Sequence, residues 1–223
     1  DYIDIDPYGS PTPFLPAAME RISRDGILAV TATDTAALSG TYAKACKRKY
    51  HSRPLKNFMM HETGLRILIK KVQEDGAVYD KALTPIYSYS KDHYMRVFFK
   101  VEKGKKKVDE ILKKHEYLIF DDKSFKTSKY NSGDYAGPLW IGNLIDKKLA
   151  KKIVKEAGNH EEIKFLRMLE AEAEKPLGFL DIHAYAKKNK INPLPKTENV
   201  LEKNKGSVRT HFSKTGVKGV ERI

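Results

Sequence analysis

The first 33 residues alternate between two hydrophobic periods, and this limits the fold more than any other stretch. Tyr2, Ile3 and Ile5 form a short β-prone run that stops at Asp6, because Pro7 cannot donate to a ladder. Phe14, Leu15, Ala18 and Ile22 then recur at helical spacing, with Pro13 and Pro16 tolerable only in a first turn. The predicted helix covers about 14–24 and ends at Asp25-Gly26, and Ile27 to Thr33 reads as a second strand. Strand, helix and strand within about thirty residues make a βαβ unit, which requires a parallel strand pair with a right-handed crossover.

The segment after the first strand, Asp6-Pro7-Tyr8-Gly9, lies at a strand's carboxyl end, the edge where open α/β sheets bind ligands. Pro7 and Gly9 predict a tight turn, and Asp-Pro-x-Gly is also the plain signature of a type I turn. The same residues have a chemical use. An exocyclic amine on a nucleobase is a poor nucleophile, because its lone pair is delocalised into the ring. Asp6 and the Pro7 carbonyl can accept hydrogen bonds from such an amine, and Tyr8 can stack on a flipped base. Asp34, just beyond the second strand, is placed either to touch a ligand or to cap the next segment. A basic cluster follows (Lys44, Lys47, Arg48, Lys49, Arg53 and Lys56), readable as a solvated face or as phosphate contacts.

Further on, Phe58, Leu65, Leu68, Ile69 and Val72 predict a helix over 57–75, with Glu62 and Arg66 one turn apart and able to pair. His61 reads as structural. Leu83 to Ser90 and Tyr94 to Val101 predict a hairpin through Lys91-Asp92-His93. Gly104-Lys105-Lys106-Lys107 reads as a boundary, dividing the chain into 1–102 and 103–223. Beyond it come a helix (Val108 to Lys114), a strand (Tyr117 to Phe120) and a polar loop at Asn131-Ser132-Gly133. Trp140 is expected as a core anchor. Asp146 caps a helix running to Ala157, and Asn159 with Glu162 predicts a capping box for the next, which ends near Glu174. Helices at 178–190 and 196–205 and a strand at 207–212 then resemble a winged helix in their order.

Charge separates the two parts. The chain's net +13 points to an anionic partner, most simply nucleic acid. Residues 1–102 hold 15 basic and 12 acidic side chains, whereas 103–223 hold 27 and 17, so the second part is the more basic. No run approaches the roughly 18 apolar residues of a membrane helix, no signal peptide opens the chain, and no membrane association is expected. Cys46 is the only cysteine, which fits a reducing cytoplasm and excludes a disulfide framework or a cysteine-built zinc site.

Seven stretches carry a resemblance: DIDPYGSPTPFL, VTATDTAALSG, RKYHSRPLK, HETGLRIL, YSYSKDHYMRVFF, GPLWIGNL and RTHFSKTGVK. In this order, over nearly the whole chain, they resemble the tRNA guanine-26 N2-dimethyltransferase family. The resemblance implies a class I, Rossmann-like α/β methyltransferase domain in 1–102, with S-adenosyl-L-methionine as methyl donor. It also implies a basic α+β C-terminal domain in 103–223 that helps hold tRNA. Asp6, Pro7 and Tyr8 would then be the catalytic group, with Asp6 and Pro7 also bordering the cofactor. Tyr8, Gly9, Asp34, Lys47, Arg48, Lys49 and Arg53 would contact the substrate. Some relatives carry a cysteine-built zinc module before the GPLW stretch; Tyr117 to Asp134 has no cysteine, so no metal is expected. The family's cofactor-binding half precedes the DPYG strand, and no G-x-G element with a following acid occurs here. The resemblance therefore implies the C-terminal part of the enzyme, partnered by the N-terminal half of the same protein. The chemistry of Asp6, Pro7 and Tyr8 alone also allows an adenine N6 methyltransferase, and the charge alone allows a non-catalytic RNA-binding module.

Overall fold

The computed structural model describes residues 1–121, 126–129 and 135–220. β1 (Tyr2–Ile5) and β2 (Ile27–Ala32) run parallel, joined through α1 (Leu15–Arg21), with Tyr2 beside Ile27 and Ile5 beside Val30. The predicted βαβ unit is thus present. Leu15, Ala18, Met19 and Ile22 are buried, but Phe14 precedes the helix and is exposed. β3 (Lys81–Lys91) and β4 (Tyr94–Lys103) form the antiparallel hairpin, and Asp92 in its turn takes the left-handed conformation at φ 49° that aspartate tolerates. β4 also pairs antiparallel with β2, giving a four-stranded sheet in the order β1-β2-β4-β3.

Three helices follow β2: α2 (Thr35–Leu38), α3 (Ala43–Tyr50) and α4 (Met60–Ala77). α4 packs along β3 and buries Leu65, Leu68, Ile69 and Val72, as its periodicity predicts. It also buries Glu62, Thr63, Arg66, Lys70 and Gln73. An amphipathic pattern in the sequence has become a helix enclosed on its polar side too, because later parts of the chain cover it.

That cover begins directly after the sheet. The lysines expected as a boundary form the first turn of α5 (Lys105–Leu112), which packs on α4 and β3. β5 (His115–Asp121), β6 (Lys126–Lys129) and β7 (Tyr135–Trp140) form a second sheet in the order β6-β5-β7, with β7 laid along α4. The GPLW stretch, read only as a motif, contributes to β7, and Trp140 is buried as expected. The loop expected at Asn131, Ser132 and Gly133 lies outside the described residues. α6 (Lys147–Ala157) is capped by Asp146, which accepts from Leu149 N–H at 2.9 Å. The capping box at Asn159 and Glu162 does not form. α7 (Ile163–Glu172) begins later, no side chain caps it, and the Glu162 carboxylate is drawn instead to Lys91 Nζ at 2.5 Å.

The chain ends in β8 (Leu180–Asp181), α8 (Ile182–Asn189), α9 (Thr197–Lys203), β9 (Val208–Arg209) and β10 (Gly216–Lys218). Its three short strands form an antiparallel sheet in the order β8-β10-β9. One apolar core runs from Ile5 through Leu68, Phe99 and Trp140 to Phe212, crossing residue 102 without a break.

Polar contacts draw distant segments together as well. Glu62 is wholly buried: its Oε1 accepts from Arg66 Nη2 at 2.9 Å and from Gly178 N–H at 3.1 Å, while Oε2 accepts from Lys218 Nζ at 2.9 Å. Arg66 Nη1 donates onward to the carbonyls of Trp140 at 3.0 Å and Gly142 at 2.8 Å. Burial by itself would push the Glu62 carboxyl up, but Lys218 and Arg66 outweigh it and hold the group at about 2. Replacing Glu62 with Gln leaves two buried cations sharing a neutral acceptor and should cost about 3–5 kcal/mol in urea unfolding at neutral pH. Lys218→Met, which leaves the Glu62–Arg66 pair intact, should cost less. Because the folded value lies below the ordinary 4.5, this stabilisation should be full above pH 4.5 and fade as pH falls towards 2, which acid titration of the unfolding midpoint checks.

Candidate active site

Parallel pairing sends the carboxyl ends of β1 and β2 to the same sheet edge, so Asp6–Gly9 and Thr33–Asp34 become neighbours. Two hydrogen bonds join them. Gly9 N–H donates to Thr33 Oγ1 at 2.6 Å, and Thr33 N–H donates to the Gly9 carbonyl at 3.0 Å. A closed type I turn would give the Gly9 N–H to the Asp6 carbonyl. The expected tight turn is therefore an open bend, shaped by the neighbouring strand, and Gly9 sits at φ +93°, where a side chain would be strained.

A second line of contacts lies beneath the bend. Ser10 Oγ donates to Tyr50 Oη at 3.0 Å, Tyr50 O–H donates to Asp34 Oδ1 at 2.6 Å, and Lys49 Nζ reaches Asp34 Oδ2 at 3.0 Å. Asp34 precedes α2 but makes no side-chain cap, so of its two expected uses capping is excluded. Both carboxylate oxygens are instead held inside this line. Tyr50 is fully buried, and burial together with the Asp34 carboxylate pushes its hydroxyl well above the ordinary range. It donates at any physiological pH. Burial and the same carboxylate push the Cys46 thiol up to about 12, which makes it an inert part of the packing rather than a nucleophile.

Asp6 and Tyr8 are left facing solvent. Among the described residues no donor reaches the Asp6 carboxylate, Pro7 is half-buried and the Tyr8 ring is fully exposed. The bend thus presents a carboxylate and an aromatic face on a backbone held from below. This suits a group with two N–H donors on a flat ring, and it leaves open acceptors at the sheet edge where a cofactor would approach. Among the described residues no cluster of three or more His, Cys, Asp or Glu side chains could hold a metal ion.

The basic cluster divides. Lys44, Lys47, Arg48 and Lys49 are exposed on α3, a helix the charge run had concealed, whose buried side is Cys46 and Tyr50. Lys49 closes on Asp34. Lys44 and Lys47 line a separate cleft with Arg53, whose guanidinium lies 4.5 Å over the Tyr135 ring. Sequence reasoning missed Ser10, Thr33 and Tyr50 as supports of the bend. Only the side-by-side placement of two strand ends shows them.

Comparison with known proteins decides the family. The profile of the N2,N2-dimethylguanosine tRNA methyltransferases matches residues 1–221. The chain belongs to this family. It is 40% identical to the tRNA (guanine(26)-N(2))-dimethyltransferase of Pyrococcus horikoshii, an alignment covering 97% of this chain and 60% of that protein. It is also 40% identical to the tRNA (guanine(26)-N(2)/guanine(27)-N(2))-dimethyltransferase of Aquifex aeolicus, over 95% of this chain and 59% of the other. The solved complex of Trm1 from Pyrococcus horikoshii with S-adenosyl-L-methionine superposes with a TM-score of 0.91 at 39% identity, covering 97% of this chain and 62% of that one. The chain therefore spans about 60% of the length of these relatives.

The family's stretches meet in space. HETGLRIL supplies Glu62 and Arg66, GPLWIGNL the carbonyls of Trp140 and Gly142, and RTHFSKTGVK the buried Lys218. At the sheet edge, DIDPYGSPTPFL and VTATDTAALSG meet through Gly9 and Thr33. Tyr50→Phe should cost about 1–2 kcal/mol, because the Asp34 carboxylate loses its buried donor. Asp34→Asn combined with Tyr50→Phe should cost less than the two single losses together, which a double-mutant cycle in urea checks.

Proposed function

We propose that this chain serves S-adenosyl-L-methionine-dependent methylation of a tRNA guanine at N2, the guanine at position 26 by likeness to its relatives. The observation that carries this reading is the bend itself: the Asp6 side chain and the Tyr8 ring are exposed, while Gly9, Thr33, Ser10 and Tyr50 hold the backbone. S-adenosyl-L-methionine, when bound, supplies an electrophilic methyl group. The chain's own part is to orient the nucleophile. The Asp6 carboxylate and the Pro7 carbonyl accept the two amine N–H groups and turn the nitrogen lone pair out of conjugation, and Tyr8 stacks on the base. Asp6 and Pro7 also border the cofactor in this reading, which assigns the rest of the cofactor site to an N-terminal half of the same protein.

Gly9, Asp34, Lys47, Arg48, Lys49 and Arg53 are assigned to the substrate side, with Asp34 and Lys49 acting by holding the bend. Residues 103–223, with their excess of positive charge, are assigned to holding tRNA. The strand order β8-β10-β9 around α8 and α9 supports a winged-helix-like end for this part. A cytoplasmic site of action fits a tRNA substrate, and no helix among the described residues is long and apolar enough to cross a membrane.

In the full-length protein, Asp6→Asn keeps size but removes charge and half the accepting capacity. It should lower the single-turnover methylation rate about a hundredfold with tRNA affinity unchanged. A near-normal rate would leave the bend with a structural role only. The 223-residue chain should bind unmodified tRNA with affinity that falls linearly in log–log against salt, as phosphate neutralisation requires.

A further inference from the structure

α6 has a charged side as regular as its apolar one. Lys148, Lys151, Lys152 and Lys155 recur at spacings of three and four, so they share one side of the helix, and all are exposed. Leu149, Ala150 and Ile153 lie on the opposite side and pack against the core. Among the described residues none of the four lysines closes on a carboxylate, and Glu156, the helix's one acid, makes no ion pair with Lys152 a turn earlier. Lys147, which opens the helix, is different: it closes on Glu174, as Lys91 does on Glu162 at 2.5 Å.

The stripe works against its own helix. Lys148 repels Lys151 and Lys152, and Lys155 repels the same two, because like charges three and four residues apart are destabilising. A helix face that meets only water gains more from alternating charges, which attract at the same spacings. The helix is nonetheless held in register with the sheet. Asp146 caps it, and the Asp146 N–H donates to the Ile86 carbonyl of β3 at 2.8 Å. Leu149 and Ile153 line one cavity with Tyr87, Tyr89 and Phe98 of the hairpin. β3 pairs with β4 and β4 with β2, the strand that leads to Thr33, so the stripe stands at a fixed place relative to the Asp6–Gly9 bend.

From Lys148 to Lys155 the four ammonium groups are spread over about 10 Å of helix. That length suits several phosphates of one chain rather than a single small anion. A convex row of lysines supplies charge and no pattern for base edges, which is how phosphate backbones are held without reading sequence. A lysine-faced amphipathic helix also suits a membrane surface, but that needs a free apolar side, and here Leu149, Ala150 and Ile153 have committed it to the core. We infer that the α6 stripe is a backbone rail for tRNA, neutralising its phosphates independently of sequence while the bend meets the target base. This rests on the tRNA reading above and deepens it, by naming one helix face within residues 103–223 that carries the contact.

The test is filter binding of unmodified tRNA to the 223-residue chain across a salt series. Lys148→Gln, Lys152→Gln and Lys155→Gln combined should lower the slope of log affinity against log salt by about 2 and weaken binding roughly a hundredfold at about 0.1 M salt. The loss should be the same for a tRNA carrying adenine at position 26, because phosphates carry no sequence. The same three lysines changed to Arg should bind within about twofold of the parent, since the charge is kept. Without RNA, the glutamine variant should unfold at the same urea concentration as the parent or a higher one, because glutamine is as good a helix former and the repulsion is gone. Arg21→Gln, Arg24→Gln and Lys100→Gln combined remove three exposed charges near the amino end of β2, and should change the slope by less than about 1. If the parent binds tRNA and the glutamine variant keeps its affinity and slope, or unfolds earlier than the parent, or the control loses as much, the rail is overturned while the tRNA reading stands. If the parent fails to bind tRNA, that reading falls and takes the rail with it. Binding of the parent to phosphatidylserine vesicles, lost in the glutamine variant, would assign the stripe to a membrane surface and overturn the inference.

Discussion

A single carboxylate, that of Glu62, gathers donors from its own helix and from two remote segments of the chain. Arg66 lies on its own helix, Lys218 comes from the last strand and Gly178 from the segment before β8. Arg66 in turn fixes the carbonyls that follow β7. A buried carboxylate is tolerated only when its partners are in place, so α4 cannot reach its final environment until the C-terminal segments arrive. The apolar core obeys the same order, since Trp140 and Phe212 share it with Leu68 and Phe99. The sheet half and the basic half therefore share one buried polar network and one apolar core across residue 102. The functional division proposed there does not coincide with a break in packing.

Much of this was legible locally. The βαβ unit, the hairpin and the Asp146 cap each rest on short-range rules: proline's missing donor, β-branched runs and a capping side chain. Burial of Glu62, Arg66 and Lys70 was not legible. One turn of helix makes Glu62 and Arg66 look like a surface pair, and only the return of Lys218 turns them into an interior hub. α3 was hidden for a related reason. Its sequence is almost all charge, and the two residues that seat it, Cys46 and Tyr50, make too short an apolar stripe to be recognised. Asn159 and Glu162 failed in the opposite sense, since a sound local signal lost Glu162 to Lys91 on a distant strand.

The candidate site divides in the same way. Asp6, Pro7 and Tyr8 could be singled out because the end of a parallel strand is a known place for ligands and because their chemistry suits a nucleobase amine. Their supports could not be, since Thr33 and Tyr50 become neighbours of the bend only through strand pairing and the packing of α3. The basic cluster of Lys47, Arg48, Lys49 and Arg53 also divides in three dimensions, although Lys47 and Arg53 line one cleft. Adjacent lysines on a helix point to different sides, and here Lys49 belongs to Asp34 while Lys47 belongs to the cleft.

Because the Gly9 N–H is claimed by Thr33, the bend holds its shape without a closing bond of its own. Chemistry and posture are thereby assigned to different residues. The outward side chains at 6 and 8 can be exchanged while the backbone beneath them keeps its course, and the supports at 33, 34 and 50 can drift so long as they still grip the glycine and the serine. Such a separation makes an edge of this kind evolvable. The outward side chains can then change what they offer without first rebuilding the scaffold that presents them.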